Sequence, residues 1–86
     1  MNIGFKPTFI KEFKKLDSDL QEEVLEKIDL FRNTPNHKQL KVHKLKGPIK
    51  GRYGFSVNYK TRIIFEYVSK SEVVLLVVGD HNIYKN

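Results

Sequence analysis

The spacing of apolar residues changes once along this chain of 86 residues, near Pro35. Before that point apolar residues recur every three or four positions, which is typical of amphipathic helices. After it they alternate with polar residues or run continuously, which is typical of strands. Helices followed by a group of strands predict an α+β fold. The length suits one domain, which we expect to span residues 1–86.

Two short amphipathic helices are predicted before Pro35. The first begins at Pro7, because proline suits the first turn of a helix. Its apolar residues are Phe9, Ile10, Phe13 and Leu16. Asp17 or Ser18 can cap the second helix, and Ser18 with Gln21 matches a capping box. The stripe of the second helix consists of Leu20, Val24, Ile28 and Phe31. A capped turn between two such helices predicts a helical hairpin.

Strands are predicted on both sides of the helical hairpin. A short strand opens the chain at "NIGFK", and "LKVHKLKG" adds another before the loop "KGPIKG". "RYGFSVNYK" alternates, so one face of a half-buried strand should carry Tyr53, Phe55, Val57 and Tyr59. "TRIIFEYV" follows after a turn near residues 58–61 and completes a hairpin. "EVVLLVVG" is apolar on both faces, which predicts a strand that is central or covered by the helices.

The three longer strands after the helices give the expected order β-α-α-β-β-β, with "LKVHKLKG" as a further short strand. They should form a small twisted antiparallel sheet with the helical hairpin packed on one face. The other face of the sheet is then open to solvent. The basic part of the chain supplies much of that open face, so we expect a functional surface there.

Composition narrows the classes of protein further. The chain has no cysteine, which excludes disulfides and thiolate metal sites and favours a reducing compartment. The longest apolar run, residues 73–78, has six residues and is far too short to span a membrane. The N-terminus has no apolar run of the length that a signal peptide requires. We therefore expect a soluble cytoplasmic protein.

Charge is distributed unevenly along the chain, whose net charge is +6. Residues 1–34 hold 6 basic and 7 acidic residues, whereas residues 35–86 hold 10 basic and 3 acidic residues. Residues 38–62 contain eight lysines or arginines and no acid. A one-sided basic field attracts phosphate backbones or an acidic protein. A lysine-rich surface that serves only solubility is the simpler interpretation. The density of positive charge in residues 38–62 nevertheless favours a polyanion partner.

The most apolar strand ends in a cluster of polar residues, "GDHNIYK". His81 lies in this segment, and an imidazole with an ordinary pKa of about 6.5 can act as acid or base near neutral pH. The three histidines, His37, His43 and His81, have no metal-ligand spacing. "KGPIKG" lacks the P-loop pattern, and no serine lies in a recognisable nucleophile motif. We expect no metal or other cofactor.

The order of these motifs resembles the RelE/ParE superfamily of bacterial toxins from toxin–antitoxin systems. The resemblance is carried by "HKLKGPIKGRYGFSVNYKTRIIFEY", followed by a final apolar strand and "GDHNIYK", and it covers almost the whole chain. The resemblance to the RelE branch implies a type II toxin that cleaves messenger RNA on the ribosome and inhibits translation. The implied chemistry is metal-independent attack of the RNA 2′-OH on its own phosphate, which leaves a cyclic phosphate and a 5′-OH.

The resemblance also implies roles for particular residues. Arg62 would stabilise charge on the phosphate, and His81 would be the acid or base. Tyr84 would stack on a base or assist proton transfer. His43 is the second candidate base, and Arg52 could supply a second positive charge at the phosphate. Contacts to the RNA backbone are assigned to Lys44, Lys46, Lys50 and Lys60.

Two departures from the best-known branch favour the members that use histidine. The positions where that branch carries catalytic lysines are Gly54 and Ser56 here. Glu66 lies deep in a predicted strand, and nothing in the sequence assigns it the role of base. Two other functions stay open, a ParE-type toxin that poisons DNA gyrase without catalysis and a basic RNA-binding module. Both toxin interpretations imply a cognate antitoxin that contributes an acidic, partly disordered segment.

Overall fold

The computed structural model describes residues 1–46, 51–80 and 82–83. A strand, two helices, a short 3₁₀ turn and four further strands follow one another, and the predicted α+β class is confirmed. Their bounds are β1 Asn2–Phe5, α1 Pro7–Lys14, α2 Ser18–Phe31, the 3₁₀ turn Thr34–Asn36, β2 His43–Lys44, β3 Tyr53–Ser56, β4 Thr61–Ser69 and β5 Glu72–Asp80. Neither helix is long and apolar enough to cross a membrane.

The five strands form one sheet in the order β1-β5-β4-β3-β2. The pairs from β2 to β5 are antiparallel, as predicted, whereas β1 runs parallel to β5 with Asn2 opposite Glu72 and Phe5 opposite Leu75. The sheet is therefore mixed and not wholly antiparallel. β1 covers what would otherwise be an exposed apolar edge of β5, and unpaired strand edges invite aggregation. The prediction that "EVVLLVVG" is a strand either central or covered by the helices is confirmed, because β5 lies between β1 and β4.

Side chains at the helix boundaries explain where each helix begins and how the two helices are joined. Pro7 occupies the first turn of α1, as predicted. Asp17 caps α2, since its carboxylate accepts a hydrogen bond from the Leu20 amide at 2.8 Å. Gln21 does not form the capping box with Ser18. Its side-chain amide donates to the Phe13 carbonyl at 3.0 Å and ties the start of α2 to the end of α1.

The main core lies between the helices and one face of the sheet. Phe31 of α2 stacks on Phe55 of β3 with ring centroids 4.4 Å apart, and it meets Phe65 of β4 edge-on at 4.8 Å. The predicted stripes are confirmed at Phe9, Val24, Ile28 and Phe31, which are buried. Truncating a buried aromatic of this kind costs about 3–5 kcal/mol. The helical hairpin is therefore fixed firmly to the sheet.

The opposite face of the sheet carries charged residues around a small apolar cluster. Alternation along β4 directs Ile63 and Phe65 into the main core and places Arg62, Ile64 and Glu66 on the other face. We call this second face the open face. Its apolar cluster is centred on Leu45 and Ile64, with Leu76, Val77 and Ile83 packed against them.

The alternating pattern placed Tyr59 on the buried face of β3, and this is wrong, whereas the turn predicted near residues 58–61 is confirmed. Phe55 and Val57 are buried as expected, but β3 ends at Ser56 and Tyr59 is 87% exposed. The cause is the side chain of Asn58, whose Oδ1 accepts hydrogen bonds from the amides of Lys60 and Thr61, both at 2.8 Å. Such side-chain bonds compete with the strand ladder and turn the chain.

Candidate active site

The turn between β3 and β4 is held from several directions. The Val57 amide donates to the Thr61 carbonyl at 2.9 Å and closes the turn. The side-chain amide of Asn58 donates to Oε1 of Glu23 at 2.7 Å, which fastens the turn to α2. Together with the two bonds to its Oδ1, Asn58 makes three side-chain hydrogen bonds. The turn is therefore a rigid support for the residues on either side of it.

Arg62 stands at the start of β4, directly after this turn, and is half-buried. It lies opposite Ser56 of β3 on one side and Gly79 of β5 on the other. Its Nη1 donates to the carbonyls of Asn58 and Thr61. A guanidinium has five N–H groups. Within the described residues, the Nε–H and the two Nη2–H groups of Arg62 have no hydrogen-bond acceptor, so the edge that binds phosphate in a fork is still available.

A cavity of about 360 Å³ opens beside Arg62, between α2, the turn and the segment that precedes β2. Lys27 and Lys41 line it together with Arg62, and no acid is among its described lining residues. Nζ of Lys27 lies 4.0 Å from Oε2 of Glu23 and 3.9 Å from Oε1 of Glu26, so part of its positive charge is balanced. The cavity is of the size that holds small ligands. Its charge suits an anion.

A second cavity of about 400 Å³ lies beside the end of β5. Tyr59 and Lys60 of the turn line it, with Asp80 and Asn82 on the other side. Asp80 accepts a hydrogen bond from the Asn82 amide at 2.9 Å. Both sequence neighbours of His81 thus line this cavity, while His81 itself lies outside the described residues.

The other predicted residue of the terminal motif, Tyr84, also lies outside the described residues. Lys50, which was assigned to the RNA backbone, lies outside them as well. The roles of His81, Tyr84 and Lys50 stay predictions.

His43 lies in β2 on the open face, opposite Gly54. Its Nδ1 is 2.8 Å from the Lys41 carbonyl. Because a carbonyl oxygen can only accept a hydrogen bond, this contact places hydrogen on Nδ1 and, in the neutral ring, the lone pair on Nε2. Two strand spacings separate β2 from β4, so His43 stands roughly 10 Å across the sheet from the strand of Arg62.

Arg52 is placed away from Arg62. Its Nε lies 3.1 Å from Oε1 of Glu66, and both side chains are about half exposed. An exposed pair of this kind contributes at most about 1 kcal/mol. Arg52 precedes Ser56, the neighbour of Arg62, by four residues, or roughly 14 Å along a strand. The structure therefore does not bring Arg52 to the unbonded edge of the Arg62 guanidinium.

The described lysines of the basic region are all exposed. Lys44 lies opposite Tyr53 and alternates with His43, so the two side chains leave opposite faces of β2. Lys46 follows the sheet and is exposed, and Lys60 stands in the turn. These positions leave the assignment of the lysines to RNA backbone a prediction.

Sequence reasoning missed three residues around Arg62. Lys27 comes from a helix whose polar face is mostly acidic, and Tyr59 was assigned to a buried strand face. Lys41 was counted only as part of the basic run, yet it has a left-handed backbone with φ of 58°. For Tyr59 the alternating pattern conflicted with the turn predicted near residues 58–61, and an asparagine at the start of such a stretch favours the turn.

Tyr67, at the opposite end of β4 from Arg62, has a pKa above its ordinary value. Burial, and to a smaller extent the neighbouring Tyr53, raises the pKa of Tyr67. The rings of Tyr53 and Tyr67 meet edge-on at 5.0 Å. This cluster lies at the other end of β4 from Arg62.

Comparison with solved structures shows which fold this chain has. A YoeB/ParE toxin from Agrobacterium tumefaciens matches with a TM-score of 0.76 at 15% identity, covering 94% of this chain and 99% of that one. The YoeB-YefM complex from Staphylococcus aureus matches with a TM-score of 0.73 at 18% identity, over 94% and 97% of the two chains. YafQ from Escherichia coli matches with a TM-score of 0.71 at 17% identity, over 99% and 98%.

The chain has the RelE/ParE toxin fold. The resemblance found in the sequence is thereby confirmed at the level of the fold. No protein-family model and no curated protein matches the sequence. The matching structures include toxins in complex with antitoxins, from Staphylococcus aureus and Mycobacterium tuberculosis. Each match covers more than nine-tenths of both chains, so the RelE/ParE toxin fold accounts for nearly the whole protein.

Proposed function

We propose that this protein is the toxin of a type II toxin–antitoxin module and that it cleaves messenger RNA on the ribosome. The reaction is attack of the RNA 2′-OH on the adjacent phosphate, without a metal ion. The proposal is carried by one observation, the fixed guanidinium of Arg62 with three N–H groups not bonded to any described residue. The toxin–antitoxin structures that share the fold add support.

Arg62 acts on the phosphate. In-line attack by the 2′-oxygen adds negative charge to the phosphorane, and preorganised donors stabilise that charge most when they need no rearrangement. The bonds from Nη1 to the carbonyls of Asn58 and Thr61 supply such preorganisation. The remaining Nε–H and Nη2–H groups then donate to two phosphate oxygens.

The proton transfers are assigned to the terminal motif. Arg62 lies opposite Gly79, and His81 follows Gly79 by two residues in the sequence. We assign His81 the transfer of a proton at the 2′-oxygen or at the leaving 5′-oxygen, and Tyr84 a supporting role in stacking or proton transfer. His43, with its lone pair on Nε2, is the alternative base. One histidine can act at each oxygen, since the bond-making and bond-breaking steps need a base and an acid.

The cations around this centre hold the rest of the RNA. Lys60 stands in the turn next to Arg62, while Lys44 and Lys46 lie at the β2 edge. Lys50 belongs to the same group by sequence. Arg52 stands about 14 Å along the sheet from Ser56, the residue opposite Arg62. This distance suits a neighbouring phosphate better than the scissile one.

The antitoxin is the second partner. The open face presents the apolar cluster around Leu45 and Ile64 beside basic residues, and an acidic segment that folds on contact would complement both. Binding there covers the surface next to Arg62 and inhibits the toxin.

A ParE-type gyrase poison is the competing function, because the Agrobacterium tumefaciens structure that shares this fold is called a YoeB/ParE toxin. Timed expression of the toxin separates the two functions. We expect incorporation of labelled methionine to stop first while incorporation of labelled thymidine continues, and we expect new RNA ends that carry 5′-OH groups. Early arrest of DNA synthesis with intact messenger RNA would instead support the gyrase function.

The matched control for this experiment is a second arginine. Arg62→Ala should remove the arrest of translation. Arg32→Ala removes a half-exposed arginine at the end of α2, paired only loosely with Asp29 at 3.8 Å, and should leave the arrest intact. Equal toxicity of both variants would remove Arg62 from the mechanism.

A further inference from the structure

Tyr59 is an aromatic residue that the fold does not use. It is 87% exposed, more than any other large apolar side chain among the described residues. Single exposed aromatics are common on protein surfaces and by themselves carry no meaning. Tyr59 differs because of what surrounds it.

The backbone on both sides of Tyr59 is fixed. Asn58 bonds to the amides of Lys60 and Thr61 and to the carboxylate of Glu23. The turn therefore fixes the direction of the Tyr59 Cα–Cβ bond before any ligand arrives, and only two side-chain torsions remain to be ordered. Preorganisation of this kind lowers the entropic cost of binding.

Tyr59 also stands where the two cavities meet, because it lines both of them. Arg62 lines the first cavity, and Asp80 and Asn82 line the second. The guanidinium of Arg62 bonds to the carbonyl of Asn58, the residue immediately before Tyr59. The ring of Tyr59 and the phosphate-binding edge of Arg62 are thus supported by the same turn.

The charges around Tyr59 indicate the class of ligand. Four cations and one acid are found among the described residues that line the two cavities, namely Lys27, Lys41, Lys60 and Arg62 against Asp80. Single-stranded RNA combines phosphates with exposed bases, and its bases stack on aromatic side chains beside basic residues. An acidic protein segment would be attracted by the same cations, but its side chains do not require a bare aromatic ring.

We propose that Tyr59 is a stacking platform for the nucleobase next to the phosphate held by Arg62. The inference rests on the proposed RNA-cleaving function and assigns a base-contacting residue to it. Every base has an aromatic face, so this contact adds affinity with little sequence preference.

The test measures binding of a short fluorescent single-stranded RNA by anisotropy. Tyr59→Ala should weaken binding roughly 5- to 100-fold, which is the usual cost of losing one stacked base. Tyr59→Phe keeps the ring and should bind like the wild type. Tyr67→Ala removes a ring that is 41% exposed at the other end of β4 and should bind like the wild type as well, with folding checked by thermal unfolding.

Salt dependence separates stacking from charge. Tyr59→Ala should leave the slope of log Kd against log salt concentration unchanged, whereas Lys60→Ala should reduce it by about one. If RNA binds only on the ribosome, the KM for cleavage on the ribosome should rise in Tyr59→Ala by the same factor that is expected for the Kd.

Three outcomes would overturn the inference. If the wild type binds and cuts RNA and Tyr59→Ala binds and cuts it equally well, Tyr59 has no role in base stacking. The proposed function is then unaffected. Wild-type protein that neither binds nor cuts RNA removes the proposed function and the inference together. A Tyr59→Ala variant that keeps RNA binding but escapes inhibition by the antitoxin assigns the ring to the protein partner.

Discussion

Arg62 of β4 lies directly opposite Gly79 of β5. Opposed residues of antiparallel strands have their Cα atoms about 4.5–5.5 Å apart. The strand arginine and the glycine that introduces "DHNIYK" are therefore neighbours across the sheet, although 17 positions separate them in the sequence. The side chain of Ile83 packs over this glycine, since a Cβ at residue 79 would lie only 2.6 Å from its Cγ2.

Arg62→Lys tests whether the fork of the guanidinium is required or only its charge. We expect the cleavage rate to fall about 10²- to 10³-fold in Arg62→Ala, as for loss of an oxyanion donor. Arg62→Lys should recover only a small part, because an ammonium cannot make the two parallel bonds. Single-turnover cleavage measures the rates. A lysine variant as fast as the wild type would contradict bidentate binding.

Gly79→Ala should affect the rate of RNA cleavage more strongly than the urea midpoint of unfolding. A Cβ at residue 79 would lie only 2.6 Å from Cγ2 of Ile83, so the segment after β5 must shift. Gly4→Ala is the matched control, because the nearest atom to its new Cβ is 3.8 Å away. Cleavage rate and urea midpoint are compared for both variants. Full activity in Gly79→Ala would separate the terminal motif from the chemistry.

Asn58 is predicted to stabilise the turn through its contact with Glu23. Asn58→Ala loses three side-chain hydrogen bonds and should reduce the free energy of unfolding by about 1–3 kcal/mol. Asn58→Asp keeps the acceptor but sets a second carboxylate against Glu23, so it should also be destabilised at neutral pH. Adding Glu23→Gln should restore stability. Urea unfolding measures each variant, and a double variant no more stable than Asn58→Asp would argue against this contact.

Lys41 has a left-handed backbone that glycine tolerates far better than alanine. Lys41→Gly should therefore be more stable than Lys41→Ala by about 1 kcal/mol. Both variants lose the same charge from the cavity beside Arg62, and both should weaken RNA binding equally. Thermal unfolding and RNA anisotropy give the two readouts. Equal stabilities would show that the left-handed conformation costs nothing.

The parts of the fold that depend on local patterns were predictable from the sequence. The stripe through Val24, Ile28 and Phe31 is set by helical periodicity, and these residues are buried. The run of residues 73–78 indicated a strand that is central or covered by the helices, and β5 lies between β1 and β4. Arg62 could be named from the resemblance, but its bonds to the turn carbonyls could not.

The remaining features depend on contacts between distant parts of the chain. No local pattern says which edge of the sheet β1 joins, so its parallel pairing with β5 was not predicted. Periodicity extended β3 to Tyr59 because it takes no account of the hydrogen bonds of Asn58. The pair of Arg52 with Glu66 follows from the register of β3 with β4, which the sequence does not state.

We propose that this chain cuts messenger RNA and that His81 takes part in the chemistry. The most direct measurement maps cleavage of messenger RNA in purified translating ribosomes, with wild type and His81→Ala compared under the same conditions. We expect cuts in the decoding site with the wild type and none, or far slower ones, with His81→Ala. Intact messenger RNA with the wild type, while cells that express it still stop growing, would contradict this proposal and favour the gyrase function.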